Sequence, residues 1–214
     1  MQIDAQGTTQ HPQAAPPTRQ GLLFVLSAPS GTGKDSVIHT LKEQGTDIYV
    51  VPSITARPPR PGESEGNPYH FVSEETFKQM VAEDKLIEYA QVHGNWYGQP
   101  KEPIRTNLQA GRDVLLKIDV QGAATIRQKI PEAIFIFLIP GSFSELKERL
   151  INRQTETPEQ QKRRLEDARS ELAQQSLYDY VIENRQDHLQ EAVDQLRAII
   201  EEAHRRSQPQ HIEL

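Results

Sequence analysis

The run Ala28-Pro29-Ser30-Gly31-Thr32-Gly33-Lys34-Asp35 constrains this chain more than any other feature, because of what flanks it. Before it lies Leu22-Leu23-Phe24-Val25-Leu26, an unbroken apolar run of the kind that forms a strand buried on both faces. After it, Ser36 to Gln44 places Val37, Ile38 and Leu41 on one face and stops at Gly45, a helix with a C-terminal glycine. Strand, glycine-rich turn and helix N-terminus, in that order, make a phosphate cradle. Gly31 and Gly33 let backbone N–H groups turn toward phosphate oxygens, and the helix adds the positive end of its dipole. Lys34 reaches the β- and γ-phosphates. Ala28, Pro29, Ser30, Gly31, Thr32, Gly33, Lys34, Asp35 and Ser36 are thus the expected triphosphate contacts. Two positions depart from the G-x-x-x-x-G-K-[ST] pattern. Ala28 replaces the first glycine, and Asp35 replaces the hydroxyl residue that would hold Mg²⁺. Carboxylate oxygens suit hard cations, so Asp35 is itself a candidate Mg²⁺ ligand.

Three more apolar runs read as strands: Val114–Ile118, Ala133–Ile139 and, more weakly, Tyr178–Ile182. Between and after them, Gly122–Lys129 and Asp187–Arg205 read as helices. The last carries Leu189, Val193, Leu196 and Ile200 at core-facing spacing. Strands alternating with helices predict an α/β fold, a mostly parallel sheet flanked by helices. A length of 214 residues suits one such domain with inserted parts. Residues 1–20 read as a disordered tail and 206–214 as a C-terminal one. The folded part, 21–205, has a core of 21–53, 99–142 and 171–205. Two segments interrupt it: 54–98, polar and rich in proline and aromatics, and 143–170, within a highly charged stretch (143–176) whose thin apolar stripe is Leu146, Leu150, Leu165 and Leu172.

Composition narrows the partners. The net charge is −6, from 24 Lys and Arg against 30 Asp and Glu, which argues against sequence-independent nucleic-acid binding. No stretch nears the roughly 18 apolar residues of a membrane span. The chain has no cysteine, which excludes disulfides and thiolate metal sites and suits a reducing cytosol, so a cytoplasmic location is expected.

The acceptor of the phosphate is announced elsewhere. Ser53-Ile54-Thr55-Ala56-Arg57-Pro58-Pro59-Arg60-Pro61-Gly62 holds two arginines three apart on a proline-restricted backbone. Such a chain can aim both guanidinium groups at one anion. Alone, they would read as solvated surface charge. Tyr69 in GNPYHFV, Glu88 in LIEYAQ and Tyr97 in GNWYG follow. With these segments, with APSGTGK and with IDVQGA, the chain resembles the guanylate kinase family of P-loop nucleoside monophosphate kinases, from about Gly21 to about Arg205.

The resemblance implies transfer of the γ-phosphate of ATP, with Mg²⁺, to GMP. It assigns Arg57, Arg60, Tyr69 and Tyr97 to the GMP phosphate, and Ser53 and Glu88 to the guanine. A carboxylate suits guanine because N1–H and the 2-amino group are adjacent donors that two carboxylate oxygens can meet together. Gln99 stands where the family usually has serine or threonine against the base. Asp119, in IDVQG, is implied to be an acid near GMP at the C-terminal end of a central strand. Arg149, Arg153 and Arg164 match arginines of the family's mobile lid, residues 143–170 here, and join Lys34 as the implied catalytic cations. Asn184, in VIEN, matches a position near the adenine. A monomer or a homodimer is compatible with all of this.

Lys117 lies two residues before Asp119, and many members of the family carry an aspartate there, near the P-loop hydroxyl and Mg²⁺. Both partners of that pair differ here, which suggests an exchange: Asp35 for the hydroxyl, Lys117 for the acid. Independent substitutions are the alternative. A separation beyond about 6 Å would exclude strong charge coupling. Two other functions remain open at this level. A different small-substrate kinase on the same scaffold is distinguished by nucleotide specificity. A non-catalytic interaction module is distinguished by failure to turn over GMP.

Overall fold

The computed structural model describes residues 20–60, 62–66, 68–92, 94–151, 158–206 and 212. Successive side chains of a strand point to opposite faces, and the first apolar run obeys this. Leu22, Phe24 and Leu26 enter one core cluster while Leu23 and Val25 enter another. The chain opens with β1 (Leu23–Ser27), α1 (Lys34–Glu43) and β2 (Ile48–Val50). Then come β3 (Ser53–Thr55), β4 (Ser64–Glu65), β5 (Pro68–Phe71), α2 (Glu74–Ala82), β6 (Leu86–Val92) and β7 (Asn95–Pro100). It continues through α3 (Lys101–Gln109), β8 (Asp113–Lys117), α4 (Val120–Lys129) and β9 (Ile134–Pro140). It closes with α5 (Phe143–Ile151), α6 (Pro158–Leu172), β10 (Tyr180–Asn184) and α7 (Leu189–Arg206).

The expected parallel sheet is present, in the order β10-β9-β1-β8-β2 with every neighbour parallel. Val25 pairs with Leu116 on one side and Phe135 on the other. Helices α1 and α7 cover one face through Val37, Leu41, Val193 and Leu196, and α3 and α4 cover the other through Ile104, Leu108 and Ile126. Two elements of this layer were not anticipated. Ile48-Tyr49-Val50 is too short a run to announce a strand. Helix α3 shows only Ile104 and Leu108 as buried apolar residues, with Pro103 in its first turn, where proline is tolerated.

A second sheet, β4-β5-β3-β7-β6, spans residues 53–100 and has its own small core of Ile54, Phe77 and Leu86. Helices α5 and α6 pack on each other through Leu146, Leu150 and Ala168, with Leu165 and Leu172 beside them, so the thin stripe is a helix–helix seam. Ile212, in the segment read as a tail, is buried in the α3–α4 core.

Candidate active site

Strands β1 and β8 are neighbours, but their connections leave in opposite directions. The turn after β1 leads to α1 on one face, and the turn after β8 leads to α4 on the other. Open α/β sheets bind ligands at such a switch point, beyond the carboxyl ends of the strands. The glycine-rich turn lies there. Gly31 and Gly33 have φ of 87° and 95°, a region that favours glycine. A Cβ on Gly33 would also stand 2.5 Å from Asn184 Nδ2. Lys34 Nζ donates to the carbonyls of Ala28 at 3.2 Å and Ile118 at 3.0 Å, curled over the loop it serves. Burial lowers its pKa to about 8, against the pull of Asp119 and Asp35. Behind the loop, the Thr32 carbonyl accepts from Asn184 Nδ2 at 2.7 Å and Arg149 Nη1 at 3.3 Å. Arg149 also pairs with Glu145 at 3.6 Å. Thr32, Arg149 and Asn184 thus brace the loop from outside the cleft.

The second sheet supplies the opposite wall of a cleft of about 370 Å³. Glu88 on β6 pairs with Gln99 on β7, and with Ser53 on β3 they form a buried polar floor, 4%, 1% and 3% exposed. Gln99 Nε2 donates to Ser53 Oγ at 2.6 Å. The Glu88 carboxylate lies against the first turn of α4, so close that a Cβ on Gly122 would stand 2.9 Å from Oε2. Asp119 caps the same helix, accepting from Gly122 N at 2.8 Å. It therefore sits just past β8 as an N-cap, not on the strand itself. Burial, with Asp119 adding to it, raises the Glu88 pKa to about 8.

Arg57, Arg60, Tyr69 and Tyr97 also line this wall. The Arg57 Nε donates to Tyr97 Oη at 2.9 Å, Nη1 to Pro58 O at 2.9 Å and to Glu63 at 2.6 Å, and Nη2 to Glu63 at 2.7 Å. Of its five N–H groups, a single Nη2 proton is left over. Arg60 is exposed, its side chain open to the cleft and its backbone N–H on Glu63 at 2.8 Å. Arg164 and Glu171 come from α6. Glu171 accepts from the backbone N–H of Ser30, and burial raises its pKa to about 7 despite Lys34 nearby. Arg153 lies outside the described residues.

The guanylate kinase family profile matches residues 20–203. The chain belongs to the guanylate kinase family. A guanylate kinase of Clostridium perfringens (strain SM101 / Type A) is 42% identical over 181 residues, covering 85% of this chain and 83% of the relative. One of Thermobifida fusca (strain YX) is 46% identical over 178 residues, covering 83% and 90%. The crystal structure of guanylate kinase from Anaplasma phagocytophilum superimposes with a TM-score of 0.72 at 33% identity, covering 86% of this chain and 87% of that one.

Within this cleft, Asp35 and Lys117 are in direct contact. Lys117 Nζ lies 2.6 Å from Asp35 Oδ1 and 5.0 Å from the centre of the Tyr69 ring. The lysine thus stands between the phosphate cradle and the arginine-bearing wall. Glu63 and Glu171 were not foreseen as site residues. Each had a weak signal. Glu63 falls three residues after Arg60 in the same proline-rich run, and Glu171 falls two helical turns after Arg164, on the same face. Among the described residues no three acids or histidines gather to hold a metal unaided.

Proposed function

We propose that this chain transfers the γ-phosphate of ATP to GMP, and to dGMP, giving ADP and the nucleoside diphosphate in purine nucleotide recycling. The observation that carries this reading is one cleft with two unlike walls. A phosphate cradle faces a buried carboxylate–hydroxyl–amide pocket, with arginines and tyrosines between them. A cytoplasmic setting, where both substrates are made and used, fits. Among the described residues no helix is long and apolar enough to cross a membrane.

Phosphoryl transfer needs alignment and charge neutralisation more than covalent chemistry. The GMP phosphate is already a nucleophilic oxyanion, so no general base is needed. Residues Ala28 to Ser36 cradle the triphosphate, and Lys34 swings from its carbonyl contacts to the β- and γ-oxygens. Asn184 lies behind the loop, toward the adenine side. Glu88 accepts N1–H and the 2-amino group of guanine, with Ser53 and Gln99 beside it and Asp119 at its edge. Tyr69, Tyr97 and Arg60 take the GMP phosphate. Arg57, engaged by Glu63, Pro58 and Tyr97, adds one N–H and holds Tyr97 in place. Arg164 neutralises charge on the transferring group, Arg149 steadies the loop, and Arg153 enters by resemblance.

The donor set suits Mg²⁺ carried in on ATP, which takes its ligands mainly from phosphates and water. Asp35 keeps one carboxylate oxygen beyond the one on Lys117 for that ion. Held there, Mg²⁺ would supply charge neutralisation to the phosphates.

A coupled ADP-release assay with GMP, dGMP, AMP, UMP and CMP tests the proposal. GMP should be the best acceptor with dGMP next, and preference for another base overturns it. Arg164→Ala should lower kcat by roughly 10²-fold while KM for GMP moves less than about threefold. Equal loss in both would deny it a transition-state role. Lys117→Met leaves Asp35 uncompensated beside the triphosphate and should reduce kcat/KM for MgATP about tenfold. Adding Asp35→Asn should restore most of that loss. A double variant as poor as the product of the singles would show that the pair acts independently.

A further inference from the structure

We infer that Gln99 sets the direction of the Ser53 hydroxyl proton, and so makes this site select a base that presents an acceptor at position 6. The inference rests on reading the cleft as a purine monophosphate site and adds a selection that Glu88 does not make. A serine hydroxyl rotates to suit its surroundings, with one proton to give and lone pairs to accept. Here Gln99 Nε2 donates to Ser53 Oγ at 2.6 Å, with both residues buried. Among the described residues that is the single hydrogen bond of either side chain, and Gln99 Oε1 is buried without a partner. The two side chains form a closed pair. With an N–H pressed on its oxygen, Ser53 has one lone pair occupied, and its proton is turned away from that N–H, toward the cleft. A buried donor without an acceptor is costly, so a base with an oxygen at position 6 is favoured there. A 6-amino group would set donor against donor.

Glu88 reads other groups of the base, N1–H and the 2-amino group, so the two selections separate with two acceptors. In 6-thio-GMP the N1–H and amino group stay and the 6-oxygen becomes a weaker acceptor, while IMP keeps the oxygen and lacks the amino group. The experiment measures kcat/KM for GMP, 6-thio-GMP and IMP with the unmodified protein, Gln99→Met, Ser53→Ala and the double variant. Gln99→Met conserves shape and removes the donor. It should shrink the preference for GMP over 6-thio-GMP roughly 3–10-fold while leaving the GMP-to-IMP preference within about twofold. In the Ser53→Ala background it should change the 6-thio preference no further. The inference is overturned by an unchanged 6-thio preference, by an equal change in both preferences, or by an effect that persists without Ser53. Gln99→Leu carries the same test if Gln99→Met does not fold. If the unmodified protein does not phosphorylate GMP, the underlying reading fails first, and that is read before any variant is compared.

Discussion

A Lys34→Met variant is expected to lose turnover by roughly 10³-fold and yet melt at a higher temperature than the unmodified protein without nucleotide. The loss follows from the role proposed for the lysine, a cation that reaches the β- and γ-oxygens, where charge changes during transfer. The gain follows from what the lysine costs at rest. Its ammonium is held among backbone carbonyls, and its pKa falls to about 8 from 10.5, because burial outweighs the attraction of Asp119 and Asp35. A base whose pKa is lowered on folding binds fewer protons folded than unfolded across that interval. The cost to stability is therefore full below about pH 8 and fades as the pH rises toward 10.5. The variant's gain in Tm should follow the same window, largest at neutral pH and much smaller near the top of it. Thermal melts at several pH values beside kcat measurements decide the matter. A lower Tm at neutral pH, or turnover within tenfold of the unmodified protein, would sink this account.

The split between what the sequence announced and what it withheld follows contact range. The cradle was legible because strand, turn and helix N-terminus are contiguous, so one local pattern implies both backbone and chemistry. Asp35 and Lys117 are 82 positions apart and still legible as a pair, because the resemblance marks both as departures near one Mg²⁺ site; Lys117 ends β8, and Asp35 lies in the first turn of α1, which follows the neighbouring strand β1. Glu63 clasping Arg57 was harder. Carboxylates are common on surfaces, and nothing local says that this one takes two of an arginine's five donors. The Gln99–Ser53 bond spans 46 positions and depends on how β3 and β7 are brought together in the second sheet, which no periodicity encodes. Arg149 shows the reverse case. The family register places it among the lid cations, while its contacts in the structure are Glu145 and the Thr32 and Asn184 carbonyls behind the loop.

The other large effect is expected at Glu88. Glu88→Gln should cut kcat/KM for GMP roughly 10²–10³-fold, because an amide offers one acceptor where the carboxylate offers two, and turns an N–H toward a guanine donor. The carboxyl also gives the reaction a pH dependence. Its folded pKa is about 8, above the ordinary 4.5, because it is buried beside Asp119 at the same helix terminus. At neutral pH the nucleotide-free site thus holds a largely protonated acid, while guanine requires the anion. Binding GMP must release that proton, so affinity for GMP should climb with pH and level off above about 8. Glu88→Gln removes the climb. The GMP phosphate ionises identically against both proteins, so their difference isolates the carboxyl. Stability moves the other way. A carboxyl whose pKa is raised on folding binds more protons folded than unfolded, so it lowers stability progressively as the pH rises from 4.5 to about 8. Glu88→Gln should melt like the unmodified protein near pH 4.5 and above it at pH 8. Calorimetry in buffers of differing ionisation enthalpy measures the proton released on GMP binding. No release at neutral pH, or the same pH profile in the Gln variant, would mean that Glu88 is already ionised before guanine arrives.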